Sequence, residues 1–450
     1  MPIAEHVLRH AAERPDRLAV CGPEGELTYA ELAANAGGAA RHLIGQGVGP
    51  GALVAIGVSD PVALLTAVLA ADLAGATPLV GDPAWGRQRW AQVVEAADVL
   101  VQAPLPRREG PPVVPRARPG DQAWACFSSG STGRPRAIVR TRASWTRSFR
   151  HLGDLTGIGP DDVVLVPGPL VSSLYAFAAV HALATGATAL VPGRWPARSL
   201  AAHLATATVV HLVPHRLPEV LRQPGALRTA VIGGAALDPA VRAQAARAGV
   251  RVVSYYGATE LSFVAVDVDG GGLRPFPGVE IEVRGEGGLG EVWARSPWLA
   301  EGYLGGAAGP LRRDGEGWVS VGDLAEPYRA GEVLRVRGRG EGAIQTGGAT
   351  VVPEDVEEVL RRVPGVGDIV VVGSPHPSLG SVVTAIVETG GAAPPRSLLE
   401  SVARGGLDVA QRPRRWYAMA NLPRTPTGKP ARALLESRLA DGDPGIRRLV

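Results

Sequence analysis

The sequence predicts an α/β protein: a large N-terminal domain of parallel α/β subdomains plus a small β-barrel-like unit, then a small α+β C-terminal domain. Three textures predict this. Up to about residue 270, apolar β-branched runs (LVAIGV, VVLVPG, TALVPG, TVVHLVP, TAVIGG, VRVVSYYG) alternate with Ala- and Leu-rich stretches, the rhythm of parallel strands joined by crossover helices. From about 270 to 337 the strands shorten and glycines separate them, as in VEIEVRG, GEVWARS and VLRVRG, which predicts an antiparallel or barrel-like unit. Beyond Arg339, GEGAIQTGGATVVPEDVEEVLRRVPGVGDIVVVG reads as a strand, a helix opening at Pro353 and a second strand, and a helical segment is expected to end the chain. The domains are therefore set at 1–338 and 339–450.

Composition agrees with a packed chain and excludes several classes. Its 450 residues suit about three domain-sized units, and 46% hydrophobic residues supply a sizeable core. The 59 glycines and 39 prolines stay below the level of low-complexity chains and punctuate turns instead. With 46 basic against 43 acidic residues and no basic runs, no nucleic-acid partner is expected. Cys21 and Cys126 are too few for a disulfide framework or a cysteine zinc site, and each reads as a free buried thiol in a reducing compartment. The opening MPIAEHVLRHAAERPDR has no signal-peptide core, so a cytoplasmic location is expected. The most apolar stretch, 62–75, contains Asp72 and falls short of the roughly 20 residues that cross a bilayer, so no membrane insertion is expected. It reads instead as a buried helix with Asp60 as N-cap, Pro61 in the first turn and Gly75 as the stop, between strands LVAIGV and TPLVG.

The segment most informative about chemistry is FSSGSTGRPRAIVR, which follows a strand at AWACF. Ser128, Ser129, Gly130, Ser131, Thr132 and Gly133 offer closely approachable backbone N–H groups and hydroxyl donors, a set suited to cradling phosphate. Taken alone, the segment has a flexible Ser/Gly turn as its lesser alternative. P-loop spacing is absent from it.

In its wording this loop resembles that of the adenylate-forming superfamily: acyl- and aryl-CoA synthetases, adenylation domains of peptide synthetases, and beetle luciferases. The family reads roughly [ST]SG[ST]TGxPKG, and here Arg136 and Ala137 replace the lysine and the last glycine. Further matches run in order along nearly the whole chain: LTYAEL at 27–32, GGAAL at 233–237, YYGATE at 255–260, GEVWARS with GY at 302–303, VGDL, GRGEGAIQTGG and LPRTPTGKPAR. The resemblance implies a nucleotide site built from the Ser128–Gly133 loop, the adenine-edge residues Gly233, Gly234 and Ala235, and Tyr255, Tyr256, Gly257 and Thr259. Tyr256 would stack on adenine, Thr259 would meet the α-phosphate region, Glu260 would hold Mg²⁺, and Asp323 and Arg339 would bind the ribose hydroxyls. Glu341 stands at the family's hinge position, a departure from its usual Asp or Lys, with Gly340 and Gly342 beside it.

Lys429 is singled out by composition as well, being the only lysine among 46 basic residues. In a chain that uses arginine wherever a generic cation suffices, it marks a place that needs a compact point charge. The resemblance implies that it lies between the substrate carboxylate and the α-phosphate of ATP, neutralising two anions that must approach each other. Lys429, Thr259 and Glu260 are thus the expected catalytic residues.

By the same resemblance the acid pocket comprises Val171, Ser172, Tyr175, His211, Pro214, Gly233, Tyr255 and Phe263, with core packing an equal alternative for Tyr175 and Phe263. Amino-acid-activating relatives carry an aspartate where Val171 stands; a buried ammonium without a carboxylate is costly, so a small aryl or acyl acid is expected rather than an α-amino acid. His211 and His215 are four apart, but Pro214 between them breaks a helical metal pair, and zinc is not expected. Gly347 and Gly348 resemble the paired glycines that admit a pantetheine arm in CoA ligases. No carrier module follows Lys429, so a stand-alone ligase is expected, with CoA or a phosphopantetheinyl carrier protein as thiol acceptor in trans and CoA preferred. An amide-forming enzyme sharing the first half-reaction, and a non-catalytic nucleotide or acyl binder tolerating Arg136, Glu341 and Gln345, are the alternatives.

Overall fold

The computed structural model describes residues 3–449 apart from 84, 86, 116, 128–136, 286–287, 308, 340–341, 343, 347–348, 378–379, 391–392, 408 and 426–427, and only the backbone of 87–89, 339, 345, 349, 350 and 380. Its largest element is a nine-stranded sheet whose interior strands are parallel. They run in the spatial order Arg251–Ala258, Thr229–Gly233, Val209–Leu212, Val163–Leu165, Thr188–Leu190 and Leu18–Gly22. Antiparallel strands close both edges, Ser262–Asp267 with Arg274–Pro275 on one side and Gly25–Thr28 on the other. Alternation along each strand splits the side chains between two cores. Val210, Leu212, Ala230, Ile232 and Val252 pack with Leu200, Leu204, Leu217 and Val220, while Val209, Val231 and Val253 share a core with the helix Ser173–Thr185.

A second parallel sheet orders Thr77–Val80, Leu53–Ile56 and Val99–Val101. The apolar helix Pro61–Ala74 lies between two of its strands as the sequence predicts: the Asp60 carboxylate accepts from the Ala63 N–H at 2.7 Å, and Gly75 ends the helix at φ 86°. Asp72, the one charge in it, is paired with Arg142 at 2.8 Å, and the two side chains are 4% and 0% exposed. Arg142 also donates to the carbonyls of Ala76 and Gln122, so one guanidinium ties three segments together. No helix among the described residues is long and apolar enough to cross a membrane.

The expected small β-unit is a six-stranded antiparallel sheet within 280–339, centred on Gly290–Arg295, which pairs with Glu280–Arg284, Val319–Ser320 and Asp323–Ala325. Its last strand, Val336–Arg339, runs one residue past the boundary proposed from the sequence. The C-terminal domain is α+β, built on the hairpin of Asp368–His376 and Gly380–Glu388, with helices Pro353–Leu360, Arg396–Gly406 and Arg432–Ala440 around it. Arg432 fixes its interior through Glu357 at 2.7 Å. The chain's end differs from expectation: a short strand, Arg447–Arg448, follows the last helix and pairs with Tyr417 and Ala418. Cys126 is buried, and burial pushes its thiol up to about 12, whereas Cys21 is only half-buried because it sits where the sheet meets the surface loop after Gly22.

Removing one partner of a fully buried ion pair leaves an uncompensated charge. Asp72→Ala is therefore expected to destabilise the large domain by about 3–5 kcal/mol, read as a lowered urea midpoint; an unchanged midpoint would mean that Arg142 is satisfied without it.

Candidate active site

The site forms where the parallel strands end. Strand Arg251–Ala258 turns back into Ser262–Asp267, and the turn is tight: a Cβ on Gly257 would lie 2.0 Å from the Ser262 carbonyl oxygen, and Ser262 itself holds φ 57°. Only glycine fits at 257, and the positive φ at 262 is stored strain of the kind found where a turn must present side chains. Thr259 and Glu260 occupy the tip. The Thr259 hydroxyl is 2.8 Å from that of Ser173, at the start of the helix Ser173–Thr185. Glu260 is 4% exposed, and the Tyr303 hydroxyl donates to its Oε1 at 3.0 Å, while Oε2 carries no partner among the described residues. Upstream of the tip, the Tyr256 hydroxyl donates to Asp323 at 2.7 Å, and Asp323 pairs in register with Arg339.

Lys429 reaches this sheet edge from the other domain. Gly234 has φ +90°, and a Cβ built there would lie 3.3 Å from both Cε and Nζ of Lys429. The lysine sits on a closed turn: the Thr425 N–H donates to the Lys429 carbonyl at 2.7 Å and the Gly428 N–H to the Thr425 carbonyl at 2.8 Å. Arg424 braces that turn, donating to the Gly428 carbonyl at 3.2 Å while held by Asp368 at 3.1 Å and Glu388 at 2.6 Å. On the facing side, His215 packs on Gly428, whose added Cβ would meet its Cε1 at 2.9 Å.

Below the edge lies a cluster of aromatic side chains. The Tyr175 ring occupies the place a side chain on Gly168 would take, and the Tyr255 ring the place above Gly233; a Cβ on either glycine would come within 2.0 Å and 2.3 Å of the respective ring. Phe263 stands edge-on to Tyr255 at 4.7 Å and stacks on Phe276 at 4.8 Å. His211 is buried on the same face of the sheet, and burial pushes its imidazole down to about 3. Val171 is buried with Trp90, Phe127 and Ala137, Ser172 precedes the helix Ser173–Thr185, and Pro214 opens a short 3-10 turn after strand Val209–Leu212.

The structure thus gathers Gly233, Gly234, Ala235, Tyr255, Tyr256, Gly257, Thr259, Glu260 and Lys429 along one edge, with Asp323 attached through Tyr256. The Ser128–Gly133 cradle, Arg136, Glu341, Gly347 and Gly348 lie outside the described residues, as do the side chains of Arg339 and Gln345. Sequence reasoning missed Ser173, Tyr303, Gly168 and Arg424, and weighed His215 only as a metal ligand. Tyr303 lay within a recognised motif, but nothing local ties it to Glu260.

Two family models match: AMP-binding enzyme over residues 7–103 and 100–304, and AMP-binding enzyme C-terminal domain over 355–429. The chain therefore belongs to the AMP-binding enzymes, the adenylate-forming superfamily its motifs resemble. It is 28% identical over 351 residues to an uncharacterized acyl-CoA ligase of Bacillus subtilis, covering 73% of this chain and 71% of that one. Among solved structures, ATP-bound MatB from Rhodopseudomonas palustris superposes with a TM-score of 0.86 at 22% identity, over 97% of this chain and 99% of that one. Amide bond synthetase McbA from Marinactinospora thermotolerans superposes with a TM-score of 0.82 at 25% identity, over 97% and 99%. Membership makes the protein an AMP-forming ligase that activates an acid with ATP.

A side chain at 234 would meet both a left-handed backbone and the lysine. Gly234→Ala is expected to slow adenylate formation by about 10²-fold, the scale of an ångström's misplacement at a reacting centre, with little change in melting temperature. A wild-type rate in single-turnover assays would show that Lys429 does not work from this position.

Proposed function

We propose that the protein joins a small aryl or acyl acid to a thiol, with CoA the preferred acceptor, in two steps. In the first, a carboxylate oxygen of the acid attacks the α-phosphorus of ATP, the bond to the β-phosphate breaks, and pyrophosphate leaves. In the second, the thiol sulfur attacks the acyl carbon, loses its proton to solvent and expels AMP. The observation that carries the reading is the approach of Lys429 to Gly234, beside the turn that presents Thr259 and Glu260.

Each residue has a physical task in that scheme. The ammonium of Lys429 offsets repulsion between the incoming carboxylate and the α-phosphate, both anionic before they react. Asp323, oriented by Tyr256, is placed to accept from ribose hydroxyls, and the aromatic face of Tyr256 suits a purine. Glu260, with one oxygen fixed by Tyr303 and the other without a described partner, fits a hard cation; Mg²⁺ held there would neutralise phosphate charge. Val171, the residue at the position where amino-acid-activating relatives carry an aspartate, is apolar and packs with Trp90, Phe127 and Ala137, which supports an acid without an α-ammonium. The resemblance to an amide bond synthetase keeps an amine acceptor as the second reading.

Pyrophosphate exchange over a panel of acids, with CoA, a phosphopantetheinyl carrier protein or an amine supplied in turn, tests the scheme. Exchange with thioester product supports the first reading, exchange with amide alone the second, and no exchange with any acid points to a binder. Lys429→Ala should lower exchange by about 10²–10³-fold while thioester formation from preformed adenylate is much less affected; equal loss in both steps would refute the lysine's role. Glu260→Ala should raise the Mg²⁺ concentration needed for half-maximal adenylation, and an unchanged metal titration would remove the carboxylate from the metal site.

A further inference from the structure

Three polar groups in and beneath the aromatic cluster have no protein partner among the described residues. His211 is 2% exposed, yet its Nε2 makes no hydrogen bond. Tyr175 is 4% exposed, and neither its hydroxyl nor that of Tyr255 is engaged by any described residue. They lie together: His211 pairs in register with Val231, and two residues further along that strand Gly233 pairs with Tyr255. Alternation puts His211, Val231, Gly233 and Tyr255 on one face. The Tyr255 hydroxyl would be 2.4 Å from a Cβ on Gly233, so the ring leans over the row that begins at His211, and Tyr175 is near enough to Tyr255 to act on its ionisation.

All three groups are uncharged near neutrality. Burial holds the imidazole down to about 3 and the Tyr175 phenol up to about 12, and it raises the Tyr255 phenol further. The nearest cation acting on Tyr175, Arg216, is committed to Glu219 at 3.3 Å and stacks on Trp195. The sheet neighbours on the His211 face, Val209, Val231 and Val253, are apolar, and His181, which also acts on it, is itself buried with its imidazole pushed down to about 4, so an unpaired imidazole there is costly. A ligand group that both donates and accepts would remove that cost; a second carboxylate or an ammonium would find no counter-charge.

We propose that His211, Tyr175 and Tyr255 form a neutral hydrogen-bonding floor that selects acids carrying an uncharged hydroxyl remote from the carboxylate, such as hydroxyaryl or hydroxyacyl acids. The proposal rests on the reading of this pocket as the acid site. It deepens that reading from aryl or acyl acids in general to a hydroxylated subset.

The test compares kcat/KM for pyrophosphate exchange with benzoate, its three monohydroxy isomers, a short straight-chain acid, its terminal hydroxy derivative and a dicarboxylate of matching length. Wild type, His211→Val, Tyr175→Phe and Tyr255→Phe are assayed as full chains. At least one hydroxylated acid should exceed its unsubstituted parent by tenfold or more, the parent leaving buried polar groups unpaired. His211→Val, which replaces the imidazole by its neighbours' residue type, should erase that preference by improving the parent acid as well as weakening the hydroxylated one. The Tyr→Phe variants, which keep both rings in place, should each reduce it. Equal use of parent and hydroxylated acids by wild type, a preference for the dicarboxylate, or a hydroxyl preference untouched in all three variants would overturn the proposal while leaving the acid site standing. No exchange with any acid would take down the reading of the site, and the proposal with it.

Discussion

The proposed reaction brings two anions into contact, and the structure sets an ammonium from a separate domain, Lys429, against the sheet edge where that scheme calls for a cation. Lys429 meets the large domain at a residue with no side chain, where the backbone has already adopted a left-handed turn. A Cβ at 234 would strain the left-handed backbone and crowd the ammonium by a few tenths of an ångström, so glycine after the receiving strand lets the cation sit against the sheet edge. The braces on the lysine's own turn, Arg424 with Asp368 and Glu388, belong to the small domain. The geometry of the cation is therefore fixed within one domain and its position against the nucleotide edge by the fit between two.

The arginine bias of the chain becomes intelligible against that division of labour. Arg142 is buried and Arg432 half-buried, and each holds several partners at once, using the planar fork of donors to join segments that no point charge could join. Arg140 is buried as well; burial lowers its pKa to about 10, and it spans Ser144 while its guanidinium faces Trp145. Structural pinning calls for such forks. A cation that must follow a reacting centre calls instead for three rotatable donors on a flexible stem, and in the proposed scheme the single lysine stands where that requirement arises.

What could be read from the sequence was whatever local chemistry dictates. The helix Pro61–Ala74 was legible because its cap, first turn and stop are adjacent residues with defined backbone preferences, and the parallel strands because their β-branched runs recur between helical stretches. Glycine at 257 was legible only as part of a motif; the reason for it, the approach of the Ser262 carbonyl, needs the bulged pairing of two strands. Partners of the site residues were not legible at all. Glu260 and Tyr303 are 43 residues apart, Tyr256 and Asp323 are 67 apart, and Thr259 and Ser173 are 86 apart. No periodicity connects such pairs, because sheet order and domain contact create them. The same holds for Cys21, whose exposure depends on where its strand emerges.

The two halves of the site also differ in the kind of polarity they present. At the sheet edge the groups are formally charged or tied to charge: Lys429, Glu260 with Tyr303, and Asp323 with Tyr256. One or two residues deeper, burial holds an imidazole and two phenols in their neutral forms. Ions are costly to desolvate, so a site that handles phosphates and a carboxylate does best to keep those charges at the rim, where water and the lysine can attend them. In the proposed reading, discrimination among acids falls to the interior, where an unmet neutral hydrogen bond costs enough to reject a wrong tail but too little to unfold the wall that carries it. On the proposed reading, the adjoining ends of two paired strands, one carrying His211 and the other leading into Gly234, would serve selection below and reaction above.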